Sequence, residues 1–472
     1  MDSDGAKQPL PSDEQKLAYY EASQWTLMRR RFGKHKVAVW MLVVTVVLYV
    51  LCMNCDFFAP YDPTTIHKEW VNLPPQFLKF GRVEGHGLPG FYVNPYLRIR
   101  NPVTLAERYY VDDEIRVPVR FFVKGRPWTF LWVFKTRRHF YGVDDMPLLT
   151  RGTAGGPIHA DIVDNPKAPG VRYDRVEIRD AELGGVDVHP NDRLRVIDAS
   201  DPEAYEEYRI TSIDPDAHTL RLEQGPTEPL DGPVRVEVWR ERTGFLLGTG
   251  PLGQDAVSRI LYGGRISLLI GLMGVGLSFT LGISLGGISG YFGGKIDMAI
   301  QRVAEVLMTV PKIPIWLAMA AAIPKNWSSL QVYFAMTLIL ACMGWTGLCR
   351  IVRGKLLALR EEDYARAALL AGATERRVIF RHLIPNFASH IIASLTLAVP
   401  GMIMAETGLS FLGLGLRPPI VSWGVLLNET RKVEVIENQP WLVLPAGMVI
   451  LAVLAMNFAG EGLRDAADPY ST

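Results

Sequence analysis

The sequence has few cysteines, almost no net charge and no nucleotide-binding loop. Four cysteines in 472 residues do not make a disulfide framework. The formal net charge is +1, so there is no overall basic footprint for nucleic acid. The sequence has no G-x-x-x-x-G-K-[ST] motif, which in other proteins cradles nucleotide phosphates. The histidines at 159, 189 and 218 lack metal-like spacing, and we predict neither a catalytic set nor a metal site.

Long uncharged stretches are the main positive signal. Hydrophobic residues make up 49% of the chain and charged residues 21%, but the average hides a split between apolar runs and a polar block. A run of about 20 apolar residues can cross a bilayer core as a helix. Six such runs are predicted, at residues 37–53, 266–294, 299–323, 330–349, 387–415 and 441–458.

Basic residues next to these runs predict their orientation. A basic cluster (Arg29, Arg30, Arg31, Lys34 and Lys36) precedes the first run, which places the N-terminus in the cytoplasm. A cleaved signal peptide is the competing interpretation, but the preceding region is long and partly acidic, and no small-residue cleavage site follows. Six spans return the C-terminus to the cytoplasm as well.

The chain divides into four predicted parts. Residues 1–36 form a cytoplasmic segment, 37–58 the first span, 59–250 an extracytoplasmic domain, and 251–472 a core with spans two to six. Within the second block, 148–242 alternates with period two between turn signals, which predicts a small β-barrel or sandwich. The start of the last part, 252–265, is predicted to be a short amphipathic helix.

The polar island at 350–386 lies between two spans and predicts two short helices around a turn. Helix-forming residues cover 356–370, Gly372 supplies a break, and Thr374 caps a second helix that Pro385 ends. Its basic residues outnumber its acidic ones, which again indicates the cytoplasmic side. A loop of this kind is suited to contact a soluble partner.

This island resembles a known family. Ala367, Ala368 and Gly372, followed by the run IFRHLIPN at 379–386, resemble the cytoplasmic coupling loop of ABC importer permeases. The family signature opens Glu-Ala-Ala, whereas this chain has Arg366 at the first position. The blocks LGTGPLGQDAVSRILYGGRISLL at 247–269 and AETGLSFLGLGLRPPIVSWG at 405–424, with the C-terminal block 457–469, narrow the resemblance to the dipeptide/oligopeptide group.

The resemblance implies a fold, partners and a location. The fold is an all-α polytopic permease of six transmembrane helices, with a large extracytoplasmic, mainly-β insertion between helices 1 and 2. The implied partners are a second permease subunit, two ABC ATPase subunits and a substrate-binding protein, in the bacterial inner membrane. The chain itself holds no cofactor, because ATP and Mg²⁺ bind the ATPases. The implied ATPase-coupling residues are Arg366, Ala367, Ala368, Gly372, Ala373, Pro385 and Asn386.

Several polar residues and a proline lie within or beside the predicted spans. Glu406 lies in the middle of an apolar run that also contains Pro400. A structural hydrogen bond or ion pair is the favoured role for Glu406, and a place in the translocation path, together with Pro400, is the alternative. Arg302 and Glu305 could lock two helices together or belong to the path. The related block carries Asp at Gly250 and Arg at Gln254, so two charges are missing here.

The cysteines and the insertion leave alternatives open. Cys52 and Cys55 form a C-x-x-C, for which span-end packing is favoured over a redox pair, and Cys342 and Cys349 are expected to be buried. The β insertion is either a solvated spacer or a docking surface for the binding protein or the partner permease. Besides a peptide importer, the alternatives are an importer of an opine, sugar or nickel, a self-sufficient transporter, and an ABC-coupled scaffold or sensor.

Overall fold

The chain folds into a helical unit and a β-rich unit, which we call the membrane unit and the β unit. The computed structural model describes residues 24–82, 89–100, 107–113, 115–130, 134–143, 146–149, 157–163, 175–179, 192–197, 205–214, 218–222, 234–240 and 244–467. The membrane unit comprises residues up to 75, 128–135 and 247 onward, and the β unit comprises 76–127 and 136–246. Most of the predicted N-terminal segment, the alternating positions 171 and 173, and His189 lie outside the described residues.

The membrane unit is built from helices of very different lengths. Its helices are α1 Gln24–Lys34, α2 Lys36–Met53, α3 Cys55–Phe58, α4 Ala256–Phe292, α5 Gly294–Thr309, α6 Lys312–Ala321, α7 Ser329–Leu359, α8 Asp363–Leu370, α9 Glu375–Arg377, α10 Ala388–Phe411, α11 Trp423–Glu429, α12 Val433–Asn438 and α13 Leu444–Ala467. A π-helical turn Val378–Leu383 and a 3₁₀ turn Ile384–Phe387 join α9 to α10, and a 3₁₀ turn Pro440–Val443 precedes α13.

Five of the described helices are long and apolar enough to cross a membrane: α2, α4, α7, α10 and the segment Pro440–Ala467. The predicted span at 299–323 differs. It is the pair α5 and α6, bent by 88° at a break that contains Pro311. Val310 precedes Pro311 and has an extended backbone (φ −86°, ψ 133°), the conformation that a following proline favours, so α5 ends before it. The predicted span at 299–323 therefore corresponds to a bent helix pair, and its assignment as one span stays a prediction.

The first long helix of the core joins two segments that the sequence pattern separated, the amphipathic helix at 252–265 and the span at 266–294. Asp255 caps α4 by accepting a hydrogen bond from the backbone N–H of Ser258 at 2.8 Å. The helix then continues for 37 residues and ends at Gly293, whose φ is +65°. The predicted short amphipathic helix at 252–265 is thus the first three turns of a long helix, because no residue between Ala256 and Phe292 interrupts it.

Glycines on α4 bring it close to α7, as the sequence predicts for a helix built to pack. A Cβ added at Gly286 would lie 2.6 Å from the Cys349 carbonyl oxygen, and one at Gly290 would lie 2.7 Å from the Arg353 carbonyl oxygen. Only a residue without a side chain permits this backbone approach. The close contact holds α7 against the same face of α4 over several turns.

The cysteines are all free. Cys52 and Cys55 are buried and unlinked, in keeping with span-end packing, and the Cys52 sulfur lies where a Cβ on Gly264 would meet it. Cys349 is buried as expected. The expectation was wrong for Cys342, which is exposed on α7.

The β unit contains the predicted β-rich insertion. Its strands, some of which extend past the unit's edges, are β1 Lys79–Gly81, β2 Gly90–Val93, β3 Tyr96–Arg100, β4 Glu107–Val111, β5 Val117–Phe130, β6 Phe134–Val143, β7 Met146–Leu149, β8 Ile158–Val163, β9 Arg175–Ile178, β10 Arg193–Ile197, β11 Tyr205–Asp214, β12 Thr219–Leu222 and β13 Val234–Arg240. They form a four-stranded sheet in the order β1-β2-β5-β6, a β3-β4 pair and a seven-stranded sheet.

The seven-stranded sheet closes on itself. Its order is β10-β11-β12-β9-β8-β13-β7, and β10 also pairs antiparallel with β13, so six strands complete a ring. Every second side chain points inward, and the core consists of Ile158, Ala160, Val176, Ile178, Leu194, Val196, Ile210, Leu220, Leu222, Val236 and Val238. Of the two predicted forms, barrel and sandwich, the structure is the barrel.

Candidate coupling site

The helix α8 lies between two long apolar helices and is set off from both. The helix α7 continues through Leu359, and residues 360–362 separate it from α8 at Asp363–Leu370. The sequence predicted one helix over 356–370, which was wrong. Three charged residues in the break, Arg360, Glu361 and Glu362, turn the chain instead of extending the apolar stripe.

A glycine turn ends α8. Gly372 has φ +83°, in the left-handed region that L-residues disfavour. The Ala373 N–H donates to the Ala368 carbonyl at 3.0 Å, and the Gly372 N–H donates to that of Leu369 at 2.9 Å. This pair of bonds is a Schellman motif, in which the left-handed residue satisfies the last carbonyls of the helix. The predicted break at Gly372 is therefore confirmed, with its conformational reason.

After this turn the chain stays helical. The Thr374 hydroxyl accepts from the Arg377 N–H at 3.4 Å, which matches the predicted cap. Pro385 was expected to end the second helix, but it lies at the start of the 3₁₀ turn that leads into α10. Proline fits the first turn of a helix because its missing N–H has no partner there. Asn386 belongs to the same turn, and its side chain lies outside the described residues.

Few side chains hold α8 to the rest of the unit. Ala365 is buried in the hydrophobic core together with Val378 and Leu383. Ala368 and Ala373 are half-buried against the same core. The remaining residues of α8 are exposed, and they are Asp363, Tyr364, Arg366, Ala367, Leu369 and Leu370. A short helix thus rests on alanines and presents most of its surface outward.

Leu370 is the strongest sign of an uncovered surface on α8. Its side chain is 90% exposed, next to Leu369 and Tyr364 at about 40% each. An exposed apolar side chain lacks the stabilisation that burial gives. A contiguous group of such side chains marks an interaction surface. The structure therefore brings the predicted alanines and glycine together beneath an exposed apolar helix face, which sequence reasoning did not single out.

Arg366 is part of a compact charge cluster. Its guanidinium donates to Glu361 at 2.5 Å, and the Arg360 guanidinium donates to the other oxygen of the same carboxylate at 3.0 Å. The hydrogen bond from Arg366 holds the pKa of Glu361 below its usual range. The positive charge that departs from the family signature is thus balanced within the chain.

An ion pair that the sequence did not reveal joins the base of this segment to its neighbours. Arg353 on α7 donates two hydrogen bonds of 2.5 Å to the Asp297 carboxylate on α5. Ser289 near the end of α4 donates to the same carboxylate, also at 2.5 Å. The Arg360 guanidinium donates to the Tyr291 carbonyl at 3.0 Å. Three helices are therefore linked next to α8.

The charged pair that the sequence did single out on α5 does not join helices. Arg302 and Glu305 are 3.4 Å apart, three residues apart on one helix, and largely exposed. The suggestion that they lock two helices was wrong, because both side chains leave the same face of α5. Asp297 and Arg353 have that role, and only their distance in space, not in sequence, identifies them.

Glu406 is enclosed by serine hydroxyls. Its carboxylate accepts hydrogen bonds from Ser267 at 2.9 Å, Ser410 at 2.8 Å and Ser422 at 2.9 Å, and the side chain is fully buried. Each serine oxygen also accepts a hydrogen bond from a backbone N–H. The donor is Trp423 for Ser267, Leu416 for Ser410 and Val425 for Ser422. The cluster joins α4, α10 and the loop before α11.

This geometry bears on the role assigned to Glu406 and Pro400. Buried polar groups are stable when every one is hydrogen-bonded, and this carboxylate has three donors. The arrangement supports the favoured interpretation of Glu406 as a structural hydrogen-bond centre. Pro400 is buried inside α10, which continues through it from Ala388 to Phe411. Assignment of either residue to a translocation path stays a prediction.

A second polar contact lies beside position 250, where the related block carries Asp. Arg259 donates two hydrogen bonds, of 2.8 and 2.6 Å, to the Glu429 carboxylate. A Cβ added at Gly250 would lie 2.9 Å from the same guanidinium. A carboxylate at 250 would therefore approach Arg259, and in this chain Glu429 supplies that carboxylate from α11.

Two family models match parts of the membrane unit. Residues 282–470 match the family described as "Binding-protein-dependent transport system inner membrane component", and residues 23–75 match the "N-terminal TM domain of oligopeptide transport permease C". Neither match includes the β unit. A solved methionine ABC transporter in inward-facing conformations covers 44% of this chain and 96% of its own, with 14% identity and a TM-score of 0.34.

Curated relatives are more similar. The oligopeptide permease OppC of Haemophilus influenzae is 40% identical over 223 residues, which is 47% of this chain and 69% of that protein. The dipeptide permease DppC of Bacillus subtilis is 38% identical, with 47% and 68% covered. The OppC protein of Mycobacterium tuberculosis is 40% identical over 227 residues, with 48% and 76% covered.

These observations first define a class: a helical inner-membrane transport permease that is not an enzyme. The chain belongs to the family of ABC importer permeases that includes the oligopeptide and dipeptide transport permeases. Its role is therefore that of the permease in an ABC import system. The β unit is carried within a chain of this family.

Proposed function

We propose that this permease forms half of a translocation path for peptides, and that α8 is the helix through which partner ATPases drive it. The observation that carries the second part is the exposed surface of α8, held on buried Ala365 and ended by the Gly372 turn. The names of the relatives, oligopeptide and dipeptide permeases, support the substrate class. A similar-sized non-peptide solute is the alternative.

The proposed complex contains a second permease subunit, two ATPase subunits that bind ATP and Mg²⁺, and an extracytoplasmic substrate-binding protein. Six spans, with α5 and α6 counted as one bent span, leave both termini in the cytoplasm and the β unit outside. Support comes from the loop charges. Residues 350–386 include eight basic and four acidic side chains, and such an excess of positive charge favours the cytoplasmic side.

The linked helices give the proposed coupling a route. When the ATPases close on ATP, they displace α8. The helix α8 directly follows the segment in which Arg353 holds Asp297 and Arg360 holds Tyr291. A displacement of α8 therefore acts through residues 360–362 on the linked ends of α4, α5 and α7. Packed helices respond to such a push as rigid bodies, so the opposite ends of the spans rearrange and change access to the path.

Gentle affinity purification of the tagged chain from its native membrane, followed by mass spectrometry, tests the proposed assembly. We expect a second permease and one or two P-loop ATPases to co-purify, and a captured binding protein would identify the solute. Purification of the chain alone or as a homo-oligomer, under conditions that preserve known ABC transporters, would contradict the assembly and favour a scaffold.

A further inference from the structure

A cavity in the membrane unit lies away from α8, between two loops. It has a volume of about 130 Å³ and lies between the α6–α7 connection, which contributes Lys325 and Trp327, and the loop after α10, which contributes Arg417 and Pro419. One ordered water needs only roughly 10–15 Å³ of such volume. The cavity therefore has room for a small polar group and its hydration, but not for a whole peptide.

Two cations line this cavity without a counter-ion. Among the described residues, neither Lys325 nor Arg417 has a carboxylate within the 4.0 Å of an ion pair. The α7 helix, 31 residues long, starts at Ser329 on the cavity wall, and its N-terminus adds the positive end of the helix dipole. The cavity is therefore electropositive and suited to an anion.

Hydrogen bonds to Ser410 and Glu406 of α10 hold the loop that carries Arg417 in place. The Leu416 N–H donates to the Ser410 hydroxyl, which donates to the buried Glu406 carboxylate, and Ser422 at the other end of the loop donates to the same carboxylate. A Cβ on Gly415 would lie 2.5 Å from the Ser410 oxygen. The cation is thus presented on a fixed loop, which lowers the entropy lost on binding.

We propose that this cavity binds the carboxylate of the transported solute as the solute enters from the outer face. This inference rests on the proposed function, since that orientation places both loops outside and peptides carry a terminal carboxylate. Arg417 supplies the paired donors that suit a carboxylate, Lys325 a second positive charge, and Trp327 an apolar surface for the adjoining residue. An acidic side chain of a docking binding protein is the other source of a carboxylate.

Uptake by cells that express the complete system distinguishes these sources. The probes are labelled trialanine and its C-terminal amide, added to cells with the wild-type chain, Arg417→Gln or Lys325→Gln. We expect each substitution to reduce trialanine uptake about tenfold, because a charge-assisted hydrogen bond is lost, and to leave uptake of the amide unchanged. Arg417→Lys keeps the charge and should retain part of the uptake, which excludes misfolding as the cause.

Arg431→Gln is the matched control, because Arg431 is an exposed cation that does not line the cavity. It should leave uptake of both probes unchanged. Equal loss of acid and amide in Arg417→Gln would overturn the proposal in favour of a binding-protein carboxylate. Unchanged uptake of both would overturn it outright. Failure of wild-type cells to take up either probe would instead contradict the proposed peptide function.

Discussion

At the residue scale, buried polar groups account for much of the architecture. Glu406 would be costly inside an apolar helix bundle if its oxygens lacked donors, since an unpaired buried polar group costs about 1–3 kcal/mol. Three serines from three segments remove that cost. The Glu406 carboxylate thereby holds α4, α10 and the loop before α11 together, and this structural role is the one that we assign to it.

Replacement of Glu406 tests this role. Glu406→Ala removes the shared acceptor of three hydroxyls, so we expect the free energy of unfolding to fall by about 3 kcal/mol or more. Glu406→Gln keeps the shape and one acceptor oxygen and should cost clearly less. Thermal unfolding in detergent measures both. Wild-type stability in both variants, with transport lost in both, would contradict a structural role and favour the path assignment.

The pair of Arg259 and Glu429 makes a second residue-scale prediction. Glu429→Gln breaks the two-bond contact and should lower the free energy of unfolding by about 1.5–3 kcal/mol. Adding Gly250→Asp to that variant should recover part of the loss, because the new carboxylate starts within reach of Arg259. A double-mutant cycle from thermal unfolding measures the coupling. Additive losses would show that position 250 cannot replace Glu429.

At the scale of elements, capping and turn residues predicted single helix ends but not the full length of the helices. Glycine at 372 and threonine at 374 identified the turn after α8, because left-handed geometry and capping depend only on neighbouring residues. The long α4 was missed at its start, since apolar and amphipathic turns join without a break signal. The bend between α5 and α6 was not predicted, because the apolar composition on both sides of Pro311 is that of one span.

The Gly372 turn gives the prediction for α8. A Cβ at 372 would meet no atom within 4 Å, so a substitution acts only through the left-handed backbone. Gly372→Val should strain the turn by about 1–2 kcal/mol and reduce ATP-driven transport several-fold at unchanged membrane level. Gly372→Asn tolerates this conformation and should retain most activity. Equal transport by both variants, measured as uptake per amount of inserted protein, would contradict the mechanism.

At the scale of the whole molecule, the sequence predicted the division into apolar helices and a β-rich block, because the two hydrophobic periods differ so clearly. It also predicted the strands of the barrel from alternating residues such as Val236 and Val238. Closure of the barrel depends on the pairing of β10 with β13, whose residues are about 40 positions apart in the chain. Long-range contacts of this kind, like the ion pair of Asp297 and Arg353, leave no local pattern.

The barrel should be removable. The strands β7 and β13, the first and last of the seven-stranded sheet, pair with each other. Met146 lies opposite Arg240, so the two ends of the insertion are one strand spacing apart. Replacing residues 147–239 by Asn-Gly, which forms a two-residue hairpin turn, should leave the thermal stability of the membrane unit unchanged. Loss of membrane insertion would contradict an independent barrel. Uptake in this variant distinguishes the two roles of the barrel. Uptake should persist if the barrel is a spacer and should be lost if the barrel is a docking surface.

The most direct test of the central claim is photo-crosslinking from position 370 in native membranes. A photoreactive residue in place of the exposed Leu370 should form an adduct with a P-loop ATPase, and the yield should change when ATP is added. The same residue in place of Leu338, which is 60% exposed on the apolar part of α7, is the control and should give no such adduct. No ATPase adduct from 370, or equal adducts from both positions, would contradict the assignment of α8 as the helix that ATPases drive.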